Sequence, residues 1–295
     1  MSIYNQLKEK FIMKNAYEDW ADYRKALTDI VIDNNYDSSL DTDSDKAKEK
    51  KSIAIIGAGR CNDLEVARLA ECFDEITLID VDKNALEECI SSQEKSIRDI
   101  IKIRLLSING LHEDDLEAFC DKLLSFVRNN VKALDETRYE KYICDLLDVL
   151  KEKASKAVDE LDKKLLKESF DTVVCNGVFS QLLSMYLFFI LSVSQSVSDE
   201  ILIDVSKTCL TAKERLSEIN SIVIPQINNV LISAAKKEVV FGNEFSDINK
   251  TEGSAQCIDD IRKKYKPEEV YLDWNFNSRE MIGYKMLVQI IKKAR

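Results

Sequence analysis

Two glycines and an aspartate are placed by type and spacing to hold a ligand. Gly57-Ala58-Gly59 interrupts a β-branched run, Ile53 to Ile56, and glycine lets a chain turn sharply while a ligand approaches its backbone. Asp80 ends a second apolar run, Ile76 to Ile79, 23 residues after Gly57. A carboxylate there accepts hydrogen bonds from a ribose diol, and turn N–H groups at a helix N-terminus favour an anionic group. Asn176-Gly177 lies just past another apolar run, Thr172 to Cys175, at the strand edge where open α/β sheets hold ligands. Asn109-Gly110 closes a mixed run from Ile100 to Ile108 whose end reads as a third strand.

The elements that must position these residues follow from periodicity. Ile53 to Ile56 is a buried strand, and Asp63 is set to cap a helix with Val66, Leu69, Ala70 and Phe73 on one face. Strand, glycine turn, helix and a strand ending in an acid make the nucleotide-binding half of a doubly wound α/β sheet. Asp82 lies past the second strand and is expected to cap the next helix, about Lys83 to Lys95. As a ligand-edge carboxylate, Asp80 is expected to have few structural partners.

From about 112 to 168 the charge density rises, and two stripes recur at helical spacing: Leu116, Phe119, Leu123, Leu124, Val127, then Tyr142, Leu146, Leu147, Leu150. They predict a helical insertion between the third and fourth strands, its charged faces solvated. Leu182 to Val193 begins an apolar helix, and Thr211 to Ala235 is helical around an interruption at Pro225. Lys237 to Phe241 is a fifth strand. Val270 to Phe276 and Tyr284 to Ile291 read as two strands joined by a polar turn, though the last also fits a helical period. Residues 1–33 predict amphipathic helices through Tyr4, Leu7, Phe11, Tyr17, Trp20, Tyr23, Leu27 and Ile30. They read either as an extension packed on the main domain or as a lid whose aromatics and Arg24 close over a ligand. The polar, periodless stretch 34–50 reads as a mobile linker.

Composition bounds the function. With 295 residues, 45% of them hydrophobic, the chain can bury a sizeable core, and seven glycines and two prolines point to abundant helix. A formal net charge of −11 disfavours a broad nucleic-acid footprint. Eight cysteines without a C-x-x-C pair, several among apolar residues, fit reduced, buried thiols. The sequence opens without a secretory signal, and its longest apolar run is too short to span a bilayer. A soluble cytoplasmic protein with no membrane contact is therefore expected.

The order of these parts resembles the class I S-adenosylmethionine-dependent methyltransferases. The resemblance rests on the Gly57-Ala58-Gly59 turn, Asp80, Phe170-Asp-Thr-Val-Val before Asn176, and the terminal strand pair, and it covers about residues 51–295 outside the insertion. It implies a mostly parallel Rossmann-like domain over 51–295, with 1–50 as a helical extension and linker. It also implies S-adenosylmethionine as cofactor: Gly57, Ala58 and Gly59 around its methionine part, Asp80 on its ribose, Ser107 to Asn109 toward adenine, and Asn176-Gly177 at the transferred methyl.

The sequence departs from the family's acid-x-Gly-x-Gly-x-Gly turn at two places. Ile55 stands where the acid is usual and Cys61 where the third glycine is usual, which weakens the hold on the cofactor's ammonium. Arg60 must then point to solvent or meet a carboxylate. The dinucleotide pattern has Asn62 at its third glycine. The single histidine, His112, reads as an incidental loop residue, and no metal site is indicated. Glu113-Asp114-Asp115 suits a helix start, Cys61 and Cys175 suit packing, and Trp274 and Phe276 suit core or interface. The expected activity is methyl transfer to a small-molecule or peptide acceptor, with no catalytic base singled out and nucleic acid disfavoured. A non-catalytic interaction or regulatory module on the same fold and a nicotinamide-dependent oxidoreductase are the alternatives.

Overall fold

The computed structural model describes residues 3–33, 50–165, 167–201, 203–245 and 252–293. The expected linker falls outside them, except for residue 50. In chain order the elements begin α1 (Ile3–Phe11), α2 (Ala16–Asp19), α3 (Ala21–Asp33), β1 (Ser52–Ile56), α4 (Val66–Cys72), β2 (Glu75–Asp80) and α5 (Lys83–Ser91). There follow α6 (Lys95–Arg98), β3 (Ile101–Leu105), α7 (Glu113–Asn130), α8 (Glu136–Val158), α9 (Leu161–Lys164) and β4 (Phe170–Asn176). The chain then forms α10 (Ser184–Ile201), α11 (Val205–Ala234), β5 (Ala235–Phe245), α12 (Glu252–Lys264), β6 (Glu268–Asn277) and β7 (Ile282–Lys292). These elements form two compact units: a sheet unit of residues 13–106, 165–178 and 228–295, and a helical unit of residues 1–12, 107–164 and 179–227.

In the sheet unit seven strands run in the order β3-β2-β1-β4-β5-β7-β6. Strands β1 to β5 pair in parallel, and β7 is antiparallel to both β5 and β6. This is a doubly wound, Rossmann-like sheet, as the resemblance to the methyltransferases implies. It differs from the dinucleotide-binding order by the antiparallel strand inserted beside β5. Tyr284 to Ile291 takes the strand alternative because β7 is hydrogen-bonded on both sides. Six consecutive residues, Met286 to Ile291, are buried, as a strand covered on both faces requires. At the other edge β3 is shorter than the Ile100–Ile108 run and leaves Leu105 exposed.

Helix α3 corrects the boundary expected at residue 50. Tyr23, Leu27 and Val31, at 2% exposure or less, lie in one core with Ile53, Leu69, Leu78, Trp274 and Met286. Burying side chains of this size stabilises by about 1.5–3 kcal/mol each, so α3 is part of the sheet unit's core. The lid reading fails for it, because a lid cannot carry core residues.

The helical unit holds α1, the insertion, α10 and most of α11. Leu116, Phe119, Leu123 and Val127 of α7 are buried, as are Ile143, Leu146, Leu147 and Leu150 of α8. Tyr142 is only partly buried and stacks on Phe126 at 3.8 Å. Phe11 of α1 meets Phe188 of α10 edge to face at 5.7 Å. Pro225 does not interrupt α11, which runs through it with Val223, Ile224 and Ile227 buried around it. Among the described residues no helix is long and apolar enough to cross a membrane.

Candidate functional site

Strand order reverses between β1 and β4, which puts the ligand crevice of an open α/β sheet just past Ile56 and Asn176. The chain leaves β1 by donating from Gly57 N and Ala58 N to Ile79 O, at 2.8 and 3.2 Å, which folds the turn over the end of β2. Gly57, Gly59 and Cys61 have φ of 66°, 48° and 53°, the left-handed region in which glycine is at ease and cysteine strained. The two glycines differ. A Cβ on Gly57 would stand 2.3 Å from Val178 Cγ2, whereas one on Gly59 would meet nothing within 4 Å. Gly57 is needed for packing, and the space over Gly59 is open.

Asp80 is more occupied than expected. Its Oδ2 accepts from Gly59 N at 2.9 Å and its Oδ1 from Asp82 N at 2.8 Å, tying the turn to the end of β2. A carboxylate has about four lone-pair sites, so acceptor capacity remains beyond these bonds. Burial pushes the Asp80 carboxyl above the usual carboxylate range, against the N–H groups of Asp82 and Gly59, which favour the anion. Asp82 caps α5, its Oδ1 accepting from Ala85 N at 3.2 Å.

Asp63 does not cap α4. The backbone N–H of Glu65, just before that helix, is accepted by Thr28 Oγ1 of α3 at 2.9 Å. The Asp63 carboxylate instead crosses the switch point, its Oδ2 accepting from Asn176 Nδ2 at 2.6 Å. The other end of that amide accepts from Tyr23 Oη at 2.6 Å, and the Tyr23 ring stacks on Trp274 at 5.4 Å. Gly242 makes room: a Cβ there would lie 1.8 Å from Asn176 Oδ1. The Asn176 side chain is thus bonded at both ends of its amide, and Gly177 follows it at φ 64°. Burial raises the Asp63 carboxyl, with the Asn176 amide and the Arg24 charge opposing, and it pushes the Tyr23 phenol well up.

Arg24 is 6% exposed and pins the turn from outside. Its Nη1 donates to Tyr17 O at 2.7 Å and Asn62 O at 3.0 Å, and its guanidinium lies 4.0 Å from the Tyr17 ring centroid. These residues border a cleft of about 590 Å³ whose wall includes Arg60, which meets the Glu88 carboxylate. The thiol of Cys61 is held up by its hydrogen bond with the free thiol of Cys89 and by burial, and that of Cys175 by burial. Neither is an activated nucleophile.

Asn109 belongs to the helical unit. Its Oδ1 accepts from Ser107 Oγ at 2.7 Å and Leu111 N at 3.1 Å, and its Nδ2 donates to Leu182 O at 3.0 Å. The amide staples its own loop. His112 is exposed, and its backbone N–H donates to Asp115 at the start of α7. Among the described residues no three His, Cys, Asp or Glu side chains gather as metal ligands. Sequence reasoning missed the roles of Asp63 and Thr28. The one available signal was Ile55, an apolar residue where the resemblance calls for an acid.

A scan against protein-family models finds no match, and a search of curated proteins finds none either. Among solved structures the chain is similar to the methyltransferase domain of bacterial CtHen1-CN, with TM-score 0.33, 12% identity, and 82% of this chain and 90% of that one covered. It is similar to CrArsM, an arsenic(III) S-adenosylmethionine methyltransferase from Chlamydomonas reinhardtii, with TM-score 0.39, 12% identity, and 83% and 64% covered. A third is precorrin-6y C5,15-methyltransferase from Geobacter metallireducens, with TM-score 0.34, 9% identity, and 85% and 83% covered. At scores this low the fold assignment stands on the strand order and register themselves.

Proposed function

We propose that this chain is a methyltransferase that takes its methyl group from S-adenosylmethionine. The observation that carries the reading is the register of four features on one sheet edge. They are the glycine turn after β1, Asp80 at the end of β2, Asn176-Gly177 at the end of β4, and the antiparallel β7 beside β5. The residues suit the cofactor: the turn backbone is open above Gly59, and Asp80 keeps acceptor capacity for a ribose diol. The bound cofactor would supply an activated methyl on a sulfonium, which leaves the protein to align donor and acceptor and to exclude water.

We assign Gly57, Ala58 and Gly59 to the amino-acid part of the cofactor, Asp80 to the ribose, and the backbone of Asn176 and Gly177 to the reaction centre. Asn109 is left out, because both ends of its amide are committed. The acceptor is proposed to be a small molecule or peptide, on the net charge of −11. The substrates of the similar structures, arsenic(III) and precorrin-6y, do not narrow it.

A non-catalytic module on the same fold is the second reading. It is favoured by the closure of the Asn176 side chain onto Tyr23 and Asp63. Calorimetric titration with S-adenosylhomocysteine and NAD separates the readings. S-adenosylhomocysteine is expected to bind and to stabilise the fold by about 2.7 kcal/mol at 100 times its Kd. Binding of neither ligand at millimolar concentration favours the module, and binding of NAD alone favours an oxidoreductase.

A further inference from the structure

The turn lacks its usual acid. Ile55, at that position, is apolar and 3% exposed, so β1 offers no carboxylate to a cation at the crevice. Asp63 lies at the far end of the same turn and brings a carboxylate to within 2.6 Å of the residue that ends β4. Among the described residues Asp63 has no ion-pair partner, and the Asn176 amide is the one side chain that donates to it. Arg24 lies near enough to favour the anion but spends its Nη1 on two backbone carbonyls. A partly buried carboxylate with no ion-pair partner is costly, and it is relieved further by a cation that also donates hydrogen bonds. An ammonium does both.

We propose that Asp63 receives the α-ammonium of the cofactor's amino-acid end, in place of the acid absent at position 55. This rests on the S-adenosylmethionine reading and adds a residue that selects for ligands carrying the amino-acid part. Asp63→Asn is the apt variant. Its Oδ1 still accepts from Asn176 Nδ2, so the link across the switch point survives, while an NH₂ group replaces the oxygen offered to the cation.

The test is calorimetric titration of the wild type and Asp63→Asn with S-adenosylhomocysteine and with 5′-methylthioadenosine, which lacks the amino-acid end. Loss of a charge-assisted bond is expected to weaken S-adenosylhomocysteine about 10- to 100-fold, and 5′-methylthioadenosine should bind both proteins equally. An unchanged S-adenosylhomocysteine affinity, or equal losses for both ligands, overturns the assignment of Asp63 and leaves the cofactor reading standing. Failure of the wild type to bind either ligand overturns the cofactor reading itself. Should Asp63→Asn not fold, the wild type is titrated with the analogue of S-adenosylhomocysteine whose α-ammonium is replaced by hydrogen. Affinity equal to that of the parent ligand overturns the assignment, and a 10- to 100-fold loss, on the same estimate, supports it.

Discussion

Tyr23 Oη donates a 2.6 Å hydrogen bond to Asn176 Oδ1, 153 residues away along the chain. The bond joins the N-terminal helix α3 to the last residue of β4, with both groups buried. Tyr23→Phe keeps the ring on Trp274 but leaves the Asn176 oxygen without its donor. An unsatisfied buried acceptor costs about 1–3 kcal/mol, read as a lower urea midpoint at unchanged slope. Were α3 a mobile cover, the midpoint would not move.

A second expectation concerns the whole segment. Deleting residues 1–33 removes Tyr23, Leu27 and Val31 from the core and Thr28 from the start of α4. The losses sum to several kcal/mol, comparable to the roughly 5–15 kcal/mol that holds a domain folded. The truncated chain is expected to be insoluble or to lack a cooperative melt. A soluble product melting like the full chain would contradict the core role of α3.

What the sequence made legible was whatever repeats or punctuates. Strands β1, β2 and β4 are short β-branched runs, and their order with Gly57, Gly59 and Asp80 predicted the sheet before any contact was known. The stripes of α7 and α8 likewise predicted the insertion. The rest depended on pairings that no spacing encodes. Asp63 had the local chemistry of a helix cap, yet α4 starts without a side-chain cap, the N–H just before it goes to Thr28, 37 residues earlier, and the Asp63 carboxylate goes to Asn176. Tyr23 had the look of a ligand-facing aromatic because it stands in an amphipathic stripe, and a stripe does not say which surface will bury it. Asp80 was placed correctly at its strand end, but its two backbone donors come from a turn whose path only the fold fixes.

Those donors set the third prediction. Asp80→Ala removes the acceptors of Gly59 N and Asp82 N as well as a ribose partner. It is expected to lower the melting temperature and to weaken S-adenosylhomocysteine about 10- to 100-fold, measured well below both melts. A lowered melt with unchanged affinity would leave Asp80 a structural residue alone.

Acid stability gives a fourth. Asp171 is buried, and burial raises its pKa. The backbone N–H and hydroxyl of Ser52 at 2.8 and 3.0 Å, together with Lys237 at 3.2 Å, outweigh that and hold it below the usual carboxylate range. A depressed folded pKa contributes stability that is complete above the unfolded value of about 3.9 and is lost as pH falls through the folded one. Asp171→Asn should therefore lose stability at neutral pH and show a shallower decline below about pH 4. Parallel declines in denaturant titrations of the two proteins across that range would count against the Ser52 and Lys237 contacts as the source.

The last prediction separates the two glycines of the turn. Both have positive φ, so alanine at either strains the backbone by about 1–2 kcal/mol. Gly57→Ala adds a collision, because its Cβ would stand 2.3 Å from Val178 Cγ2, and overpacking of that kind costs a further 1–3 kcal/mol or about that. Pairing it with Val178→Ala removes the obstructing atom and should restore part of the loss, a coupling that a double-mutant cycle reads directly. Gly59→Ala meets nothing within 4 Å and should show the backbone strain alone. Its methyl group, however, would occupy the open side of the turn, where the amino-acid part of the cofactor is assigned. The expected pattern is therefore crossed: the larger fall in urea midpoint for Gly57→Ala, and the larger loss of S-adenosylhomocysteine affinity per unit of stability lost for Gly59→Ala. If Gly59→Ala binds that ligand as the wild type does, the ligand does not lie over Gly59, and the turn is a packing device only.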